Sequence, residues 1–332
     1  MANSKSNPTI KDVAAHAGVS IGTVSKVINN KPVGASYKEK VLASINALGY
    51  RVNSYAQGLR SEKTYTVAVI IPHLRNPFYA SLVQALSDEL AKKNYDLLLC
   101  ASDYDPEREQ SYVTKAENKM VDGIICLSYN QDLKTSERTP FVSIDRYFGH
   151  SKPCVASDNY AGGRLAAEVL HKGGASNLAF LRIGSDLKNE PDKRKDGFVS
   201  YCEENNLNYE IKFSGDETPY SDFEKFLKSH YKNNKLAFDG IFCVTDSLAY
   251  KVIQSIEAMG LKVPEDVQVM GFDGVRKFGD YEYVCSTIVQ PVEEIAKASV
   301  KILLDRDNDF VPSLINLPVE YAYGNTTNLK SI

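Results

Sequence analysis

No stretch of this chain approaches the roughly 20 consecutive apolar residues that a membrane span needs. Its first ten residues are mostly polar, unlike the leader of a secreted protein. The sequence therefore predicts a cytoplasmic protein with no membrane partner. Six cysteines (Cys100, Cys126, Cys154, Cys202, Cys243, Cys285) are scattered without a Cys-x-x-Cys pair. That argues against a zinc site or a disulfide framework and for buried free thiols; no metal is predicted. The signatures of common enzyme chemistries are also missing. There is no Gly-x-x-x-x-Gly-Lys-Ser/Thr phosphate loop, no Gly-x-Gly-x-x-Gly, no Gly-x-Ser-x-Gly elbow and no His-Glu-x-x-His. The five histidines are dispersed, and His171 reads as a cation closing a helix. The chain reads as a non-enzyme without catalytic residues or cofactor. It stops soon after its last strand with no heptad tail, so no coiled-coil tetramer is expected.

What is present is uneven in charge. Residues 1–60 hold eight Lys/Arg against two acids, so with a net charge of −3 the remainder carries −9. A basic head on an acidic body suits a nucleic-acid-binding module joined to a sensor. The 332 residues favour two or three domains.

The basic head is organised around residues 8–30. Thr9 caps a first helix, with Asp12 near its positive end. Ile10, Val13, Ala14 and Ala17 repeat at helical spacing. Gly18 supplies the turn, because only glycine takes the left-handed backbone without strain. Ser20 caps a second helix from Ile21 to about Asn29, with Val24, Val27 and Ile28 inward and Ile21, Gly22, Ser25, Lys26 and Asn29 outward. Such a helix fits a DNA major groove. Ser36-Tyr-Lys-Glu39 reads as a capping box that starts a third helix, with Val41, Ile45 and Leu48 inward and Gly49 stopping it.

The run Ile10-Lys-Asp-Val-Ala, Ala17-Gly-Val-Ser and Thr23-Val-Ser-Lys-Val-Ile-Asn29 resembles the headpiece signature of the LacI/GalR family of bacterial transcriptional regulators. The resemblance implies that Ile21, Gly22 and Lys26 face base edges. It makes Thr9, Ser20, Thr23, Ser25 and Asn29 candidates for phosphate contacts, which fix register rather than sequence. Family members usually carry Arg where this chain has Lys26, so the bidentate fork is lost and base preference there is looser. Residues 50–60 match the family's hinge helix, which orders on operator DNA and wedges a leucine between base steps in the minor groove. Leu59 stands at that position, Ala56 at a hinge contact, and Tyr50 and Asn53 join the DNA-facing set. Val52 replaces a common proline, and Gly58 lowers helix propensity by roughly 1 kcal/mol against alanine. Both departures imply a hinge that leans more on DNA to fold.

From residue 64 the pattern becomes strand, helix, strand. Thr66–Ile71, Asp96–Ala101, Gly123–Leu127 and Phe141–Asp145 are short apolar runs, alternating with helices at Phe78–Lys93 and Pro106–Met120. The alternation restarts with helix Asn159–His171 and strand Leu178–Arg182 and continues through strand Ser286–Val289 and helix Val292–Asp305. So many strands favour two sheets with a cleft between them. The expected fold is an all-α helix-turn-helix headpiece plus an α/β core of two doubly wound parallel-sheet subdomains resembling periplasmic sugar-binding proteins. The expected boundaries are a headpiece at 1–50, a hinge and linker at 51–63, an N-subdomain at 64–160 and 290–318, and a C-subdomain at 161–289 and 319–332. The resemblance implies three crossings, near 160, 290 and 320.

Ligands of open α/β sheets bind at the carboxyl ends of strands. Asp145-Arg146, Asp273 and Gln290 fall there, and Arg and Asp side chains suit paired hydroxyls. By resemblance, Phe78, Arg146, Arg194, Asp273 and Gln290 match effector-contacting positions of sugar-responsive members, with Phe272 as an aromatic wall. Thr245 stands where many members carry Asn, so one hydroxyl contact is weakened. Gly162-Gly163 lacks phosphate-loop spacing and reads as close packing. The reading is a homodimeric DNA-binding regulator, most simply a repressor. It would hold near-palindromic double-stranded operator DNA and answer to a small sugar-like effector, a monosaccharide or derivative. The alternatives are a catabolite-control-type regulator answering to a protein co-regulator, and a purine-responsive repressor.

Overall fold

The computed structural model describes residues 8–29, 31–50, 63–128, 130, 132–148, 152–184, 189–215, 219–277, 282–305 and 312–331. The chain divides into two compact units, Met1–Thr64 and Tyr65–Ile332.

Among the described residues the first unit contains three helices, α1 (Ile10–Ala17), α2 (Ile21–Ile28) and α3 (Ala35–Leu48). A capping box holds the start of α1. The Thr9 backbone N–H and hydroxyl both donate to Asp12 Oδ2 at 2.7 Å, and the Asp12 N–H donates to Thr9 Oγ1 at 3.4 Å. These bonds hold the Asp12 carboxyl below its ordinary value. Gly18 ends α1 in the left-handed region (φ 66°), which turns the chain into α2. Val13, Ala14, Val24, Val27 and Val41 form a small buried core, with Ile10, Ile45, Leu48 and Tyr50 at its margin. His16 Nδ1 lies 3.0 Å from Ser44 Oγ and ties α1 to α3. One expectation fails here. The third helix starts at Ala35 behind Gly34, with no side-chain cap, so Ser36 and Glu39 lie inside the helix rather than in a capping box. Alanine is the strongest helix former and carries the helix back past the serine, and glycine is tolerated at a helix start.

The second unit holds two sheets. The first has the order β13–β5–β4–β3–β1–β2, all parallel: β1 (Thr66–Ile71), β2 (Asp96–Ala101), β3 (Gly123–Cys126), β4 (Phe141–Ile144), β5 (Cys154–Ser157) and β13 (Leu314–Leu317). The helices on this sheet are α4 (Pro77–Ala91), α5 (Pro106–Lys115, continued by a π-turn at Ala116–Met120) and α10 (Val292–Leu304). Residues 67–71 of β1 are all buried, as expected for a central parallel strand covered on both faces.

The second sheet has the order β14–β12–β11–β10–β6–β7. Its strands are β6 (Asn177–Ile183), β7 (Asn208–Ser214), β10 (Gly240–Cys243), β11 (Gln268–Asp273), β12 (Ser286–Val289) and the antiparallel β14 (Glu320–Ala322). Helices α6 (Asn159–Lys172), α7 (Lys193–Glu204), α8 (Pro219–Ser229) and α9 (Asp246–Ala258) accompany it, and a small hairpin, β8 (Tyr231–Lys232) with β9 (Lys235–Leu236), follows α8. Phe180, Phe198, Phe242 and Phe272 are fully buried in its core. The chain passes from one sheet to the other at Asp158, at Gln290-Pro291 and at Pro318-Val319. All six cysteines are unbridged and five are buried. No helix among the described residues is long and apolar enough to cross a membrane.

Candidate functional site

On the first unit the polar face of α2 is open. Ile21 is 37% exposed, and Gly22, Lys26 and Asn29 are exposed with it, while Thr23 and Ser25 are half-buried. Several candidate phosphate-contacting groups already serve the helix ends. Ser20 Oγ accepts the Thr23 N–H at 3.1 Å and lies 2.9 Å from Thr23 Oγ1. Asn29 Nδ2 donates to the Ser25 carbonyl at 2.8 Å. This pre-organises the face: the caps fix the side chains that a phosphate would meet. Tyr50 is half-buried against the headpiece core. Asn53, Ala56 and Leu59 lie outside the described residues.

In the second unit the crossings and the carboxyl ends of the strands come together. Ser157 ends β5 and its hydroxyl donates to Gln290 Oε1 at 2.8 Å, across 133 residues of sequence. Gln290 Nε2 donates to Asp273 Oδ1 at 2.8 Å. That same oxygen lies 3.9 Å from Arg194 Nη1. Arg194 Nε donates to Asn159 Oδ1 at 2.7 Å, and Asn159 Nδ2 returns to the Ser157 carbonyl at 2.9 Å. The result is a closed polar circuit that runs through two of the three crossings, each member 7% exposed or less.

Arg194 has two further supports. Its Nη1 donates to the Val244 carbonyl at 2.7 Å. Its guanidinium carbon lies 3.6 Å from the centre of the Phe272 ring, a stacked cation–π contact. The Gly162-Gly163 pair explains how this fits. A Cβ on Gly163 would stand 1.9 Å from the Arg194 carbonyl oxygen, and one on Gly162 would stand 2.7 Å from the Phe272 ring. The two glycines let α6 close onto α7 and β11, and this close approach seats the arginine.

Two carboxyls, Asp145 and Asp273, feel the charge of this arginine, a third, Asp246, acts on Asp273, and burial drives all three upward. Asp145, at the end of β4 with φ 56°, is raised to about 6 by burial, with Arg194 opposing and Glu190 reinforcing the rise. Asp273 is pushed well above the ordinary carboxylate range by burial, against the pull of Arg194. Asp246, the first residue of α9, is raised to about 6, also by burial. Asp246 is fully partnered: it accepts the Thr287 hydroxyl and the Val275 N–H, both at 2.6 Å, and so anchors the loop after Asp273. Asp145 Oδ1 and Asp273 Oδ2, by contrast, are buried with no hydrogen-bond partner.

A cavity of about 630 Å³ opens beside the circuit. Phe78, Asp273, Gln290 and Pro318 are among its lining residues, and its size is that of a small-molecule site. Of the residues singled out in the sequence, Arg194, Phe272, Asp273 and Gln290 meet in one cluster, and Phe78 shares the cavity with two of them. Phe272 is placed differently from the aromatic wall that was expected. It is fully buried and its ring face is covered by Arg194, so it supports the arginine. Arg146 stands over the Phe148 ring at 5.8 Å, and its charge acts on the buried Glu109 of α5. Thr245 caps α9 through its hydroxyl, next to the carbonyl that receives Arg194. Sequence reasoning missed Ser157 and Asn159. Asn159 follows the helix-capping Asp158, and nothing in that local pattern marks it as the partner of an arginine 35 residues away.

Comparison with known proteins assigns both units to known families. Residues 9–53, which contain α1 to α3, match the family model for bacterial regulatory proteins of the lacI family. Residues 167–327 match the model for a periplasmic binding protein-like domain. The sucrose operon repressor of Pediococcus pentosaceus is 34% identical over 328 residues, 96% of this chain and 99% of that protein. The chain belongs to the LacI family. Catabolite control protein A of Priestia megaterium is 32% identical over 97% of this LacI-family chain and 99% of its own length. Among solved structures, the lac repressor dimer bound to operator and the anti-inducer ONPF shares the fold, with a TM-score of 0.81 and 22% identity over 97% of this chain and 99% of that one. The periplasmic-type match in this LacI-family regulator spans β6 to β14, so it takes in Arg194, Asp273 and Gln290.

Proposed function

We propose that this chain is a cytoplasmic, non-catalytic repressor that binds near-palindromic operator DNA as a homodimer and releases or tightens on it when a sugar occupies the core. The relative named a sucrose operon repressor supports a sugar effector. The observation that carries the reading is the closed circuit Ser157–Gln290–Asp273–Arg194–Asn159. It ties Asp273 and Arg194, whose chemistry suits paired hydroxyls, to Gln290 and Ser157 at the crossings, and this supports the reading. A ligand that donates hydrogen bonds to Asp273 and accepts them from Arg194 alters the geometry of the crossings, and differential binding to two arrangements of the core is what allostery requires.

Ile21, Gly22 and Lys26 read the major groove in this proposal. Thr9, Ser20, Thr23, Ser25, Asn29, Tyr50 and Asn53 hold the backbone, and Ala56 and Leu59 act at the minor groove. Phe78, Arg146, Arg194, Thr245, Phe272, Asp273 and Gln290 form or support the effector site. The experiment is a pair of titrations on the full chain, operator by fluorescence anisotropy and sugar by calorimetry. Leu59→Ala weakens operator binding and leaves the sugar titration unchanged. Asp273→Asn weakens the sugar titration and leaves operator affinity unchanged. If either substitution alters both titrations equally, the division of labour is refuted. If no sugar acts on the wild type, the core answers to something else, a protein co-regulator first.

A further inference from the structure

We infer that the effector is an uncharged polyhydroxyl compound and that the site excludes its phosphorylated form. The inference rests on the sugar reading above and narrows it.

Asp145 Oδ1 and Asp273 Oδ2 are buried acceptors without a donor from the protein. They belong to opposite sheets, at the ends of β4 and β11. Both carboxyls interact electrostatically with Arg194, and Asp145 also acts on Asp273. A buried acceptor left unmade is unfavourable, and the remedy is a ligand that brings donors. Sugar hydroxyls do this. Each can donate to one of the two carboxylates, so one ring bridges the two sheets.

A phosphate cannot. It brings acceptors and negative charge to a place that already holds Asp145, Asp246 and Asp273, with Glu190 acting on Asp145. Two of the nearby cations, Arg194 and Lys193, are committed. Arg194 is bound to Asn159, the Val244 carbonyl and the Phe272 face. Lys193 pairs with Glu190 at 2.7 Å; the charge of Arg146 acts on Glu109 and its guanidinium stands over Phe148, although its Nε makes no hydrogen bond. Adding an anion to this set leaves like charges buried together without compensation. The lining of the 630 Å³ cavity points the same way, since it includes Asp273, Glu293, Glu294 and Glu320 with Arg276.

The test is calorimetric titration of the full chain at neutral pH with D-ribose, D-fructose, D-glucose and sucrose, each beside its monophosphate ester. One neutral sugar binds, and its phosphate binds at least about tenfold more weakly. In the doubly substituted Asp145→Asn, Asp273→Asn protein the ratio narrows by about tenfold or more, because charge sets it. Tighter binding of a phosphate ester overturns the inference and leaves the sugar reading standing. A ratio unchanged in the double variant overturns its electrostatic basis. Failure of every sugar and every ester to bind overturns the sugar reading itself.

Discussion

Asp145→Asn separates stability from function at one atom. The wild-type carboxyl is buried, and burial raises it from 3.8 to about 6 despite the opposing charge of Arg194. At neutral pH the folded protein therefore holds an ionised group that its surroundings disfavour. A rise of this size corresponds to about 3 kcal/mol between the neutral and charged forms. An asparagine keeps the shape and resembles the neutral form, so the variant is the more stable protein at pH 7.5 by up to about 3 kcal/mol. At roughly 2–4 °C per kcal/mol for a domain of this size, the ceiling is a gain of about 6–12 °C. The pH dependence follows from linkage. The folded state binds this proton more tightly than the unfolded chain does, so wild-type stability relative to the variant is greatest below pH 3.8 and falls as pH rises through about 6. Above that the difference is constant. Thermal unfolding of both proteins from pH 4 to pH 8 measures it, and calorimetry on the same samples follows the sugar. The variant weakens sugar binding while gaining stability, the usual trade at a functional site. A variant that is less stable at pH 7.5, or a difference that does not change with pH, refutes the reasoning.

Three more outcomes are expected. Arg194→Ala leaves Asp145 and Asp273 buried without their shared cation and lowers stability by about 3–5 kcal/mol in urea unfolding. Added to Asp273→Asn, it costs measurably less than it does alone, because the two share one interaction. Gly163→Ala puts a methyl group 1.9 Å from the Arg194 backbone oxygen, so α6 and α7 must part. It destabilises by about 1–3 kcal/mol and weakens the sugar titration, while operator binding holds. Ser299→Ala is neutral or stabilising by about 1 kcal/mol in the same unfolding assay, because the Ser299 hydroxyl is fully buried in α10 with no hydrogen-bond partner.

The fold was legible where a single strand carries its own evidence. Thr66–Ile71, Asp96–Ala101 and Ser286–Val289 begin and end at the expected residues, because β-branched or leucine-rich runs bounded by polar residues have one reading. Cys154–Ser157 and Leu314–Leu317 were not legible as strands. They are four residues each and are set by pairing with one another and with β4, which local pattern does not record. The candidate site divides in the same way. Arg194, Asp273 and Gln290 carry charge or amides at loop positions and announce themselves. Ser157 and Asn159 matter only because the crossings bring residue 157 to residue 290. The role of Phe272 was visible as aromatic but its direction was not, since only the close approach of Gly162 and Gly163 shows which face Arg194 covers.

The most direct measurement is operator affinity of the full chain, by fluorescence anisotropy, at rising concentrations of the neutral sugar found by calorimetry. Effector coupling of ordinary strength changes operator affinity by about 5–150-fold, and operator DNA changes sugar affinity by the same factor. A reciprocal change of that size, absent in Asp273→Asn, is the predicted result. An operator affinity that stays constant while the sugar saturates the core would contradict the proposal that the polar circuit at the crossings controls the headpiece.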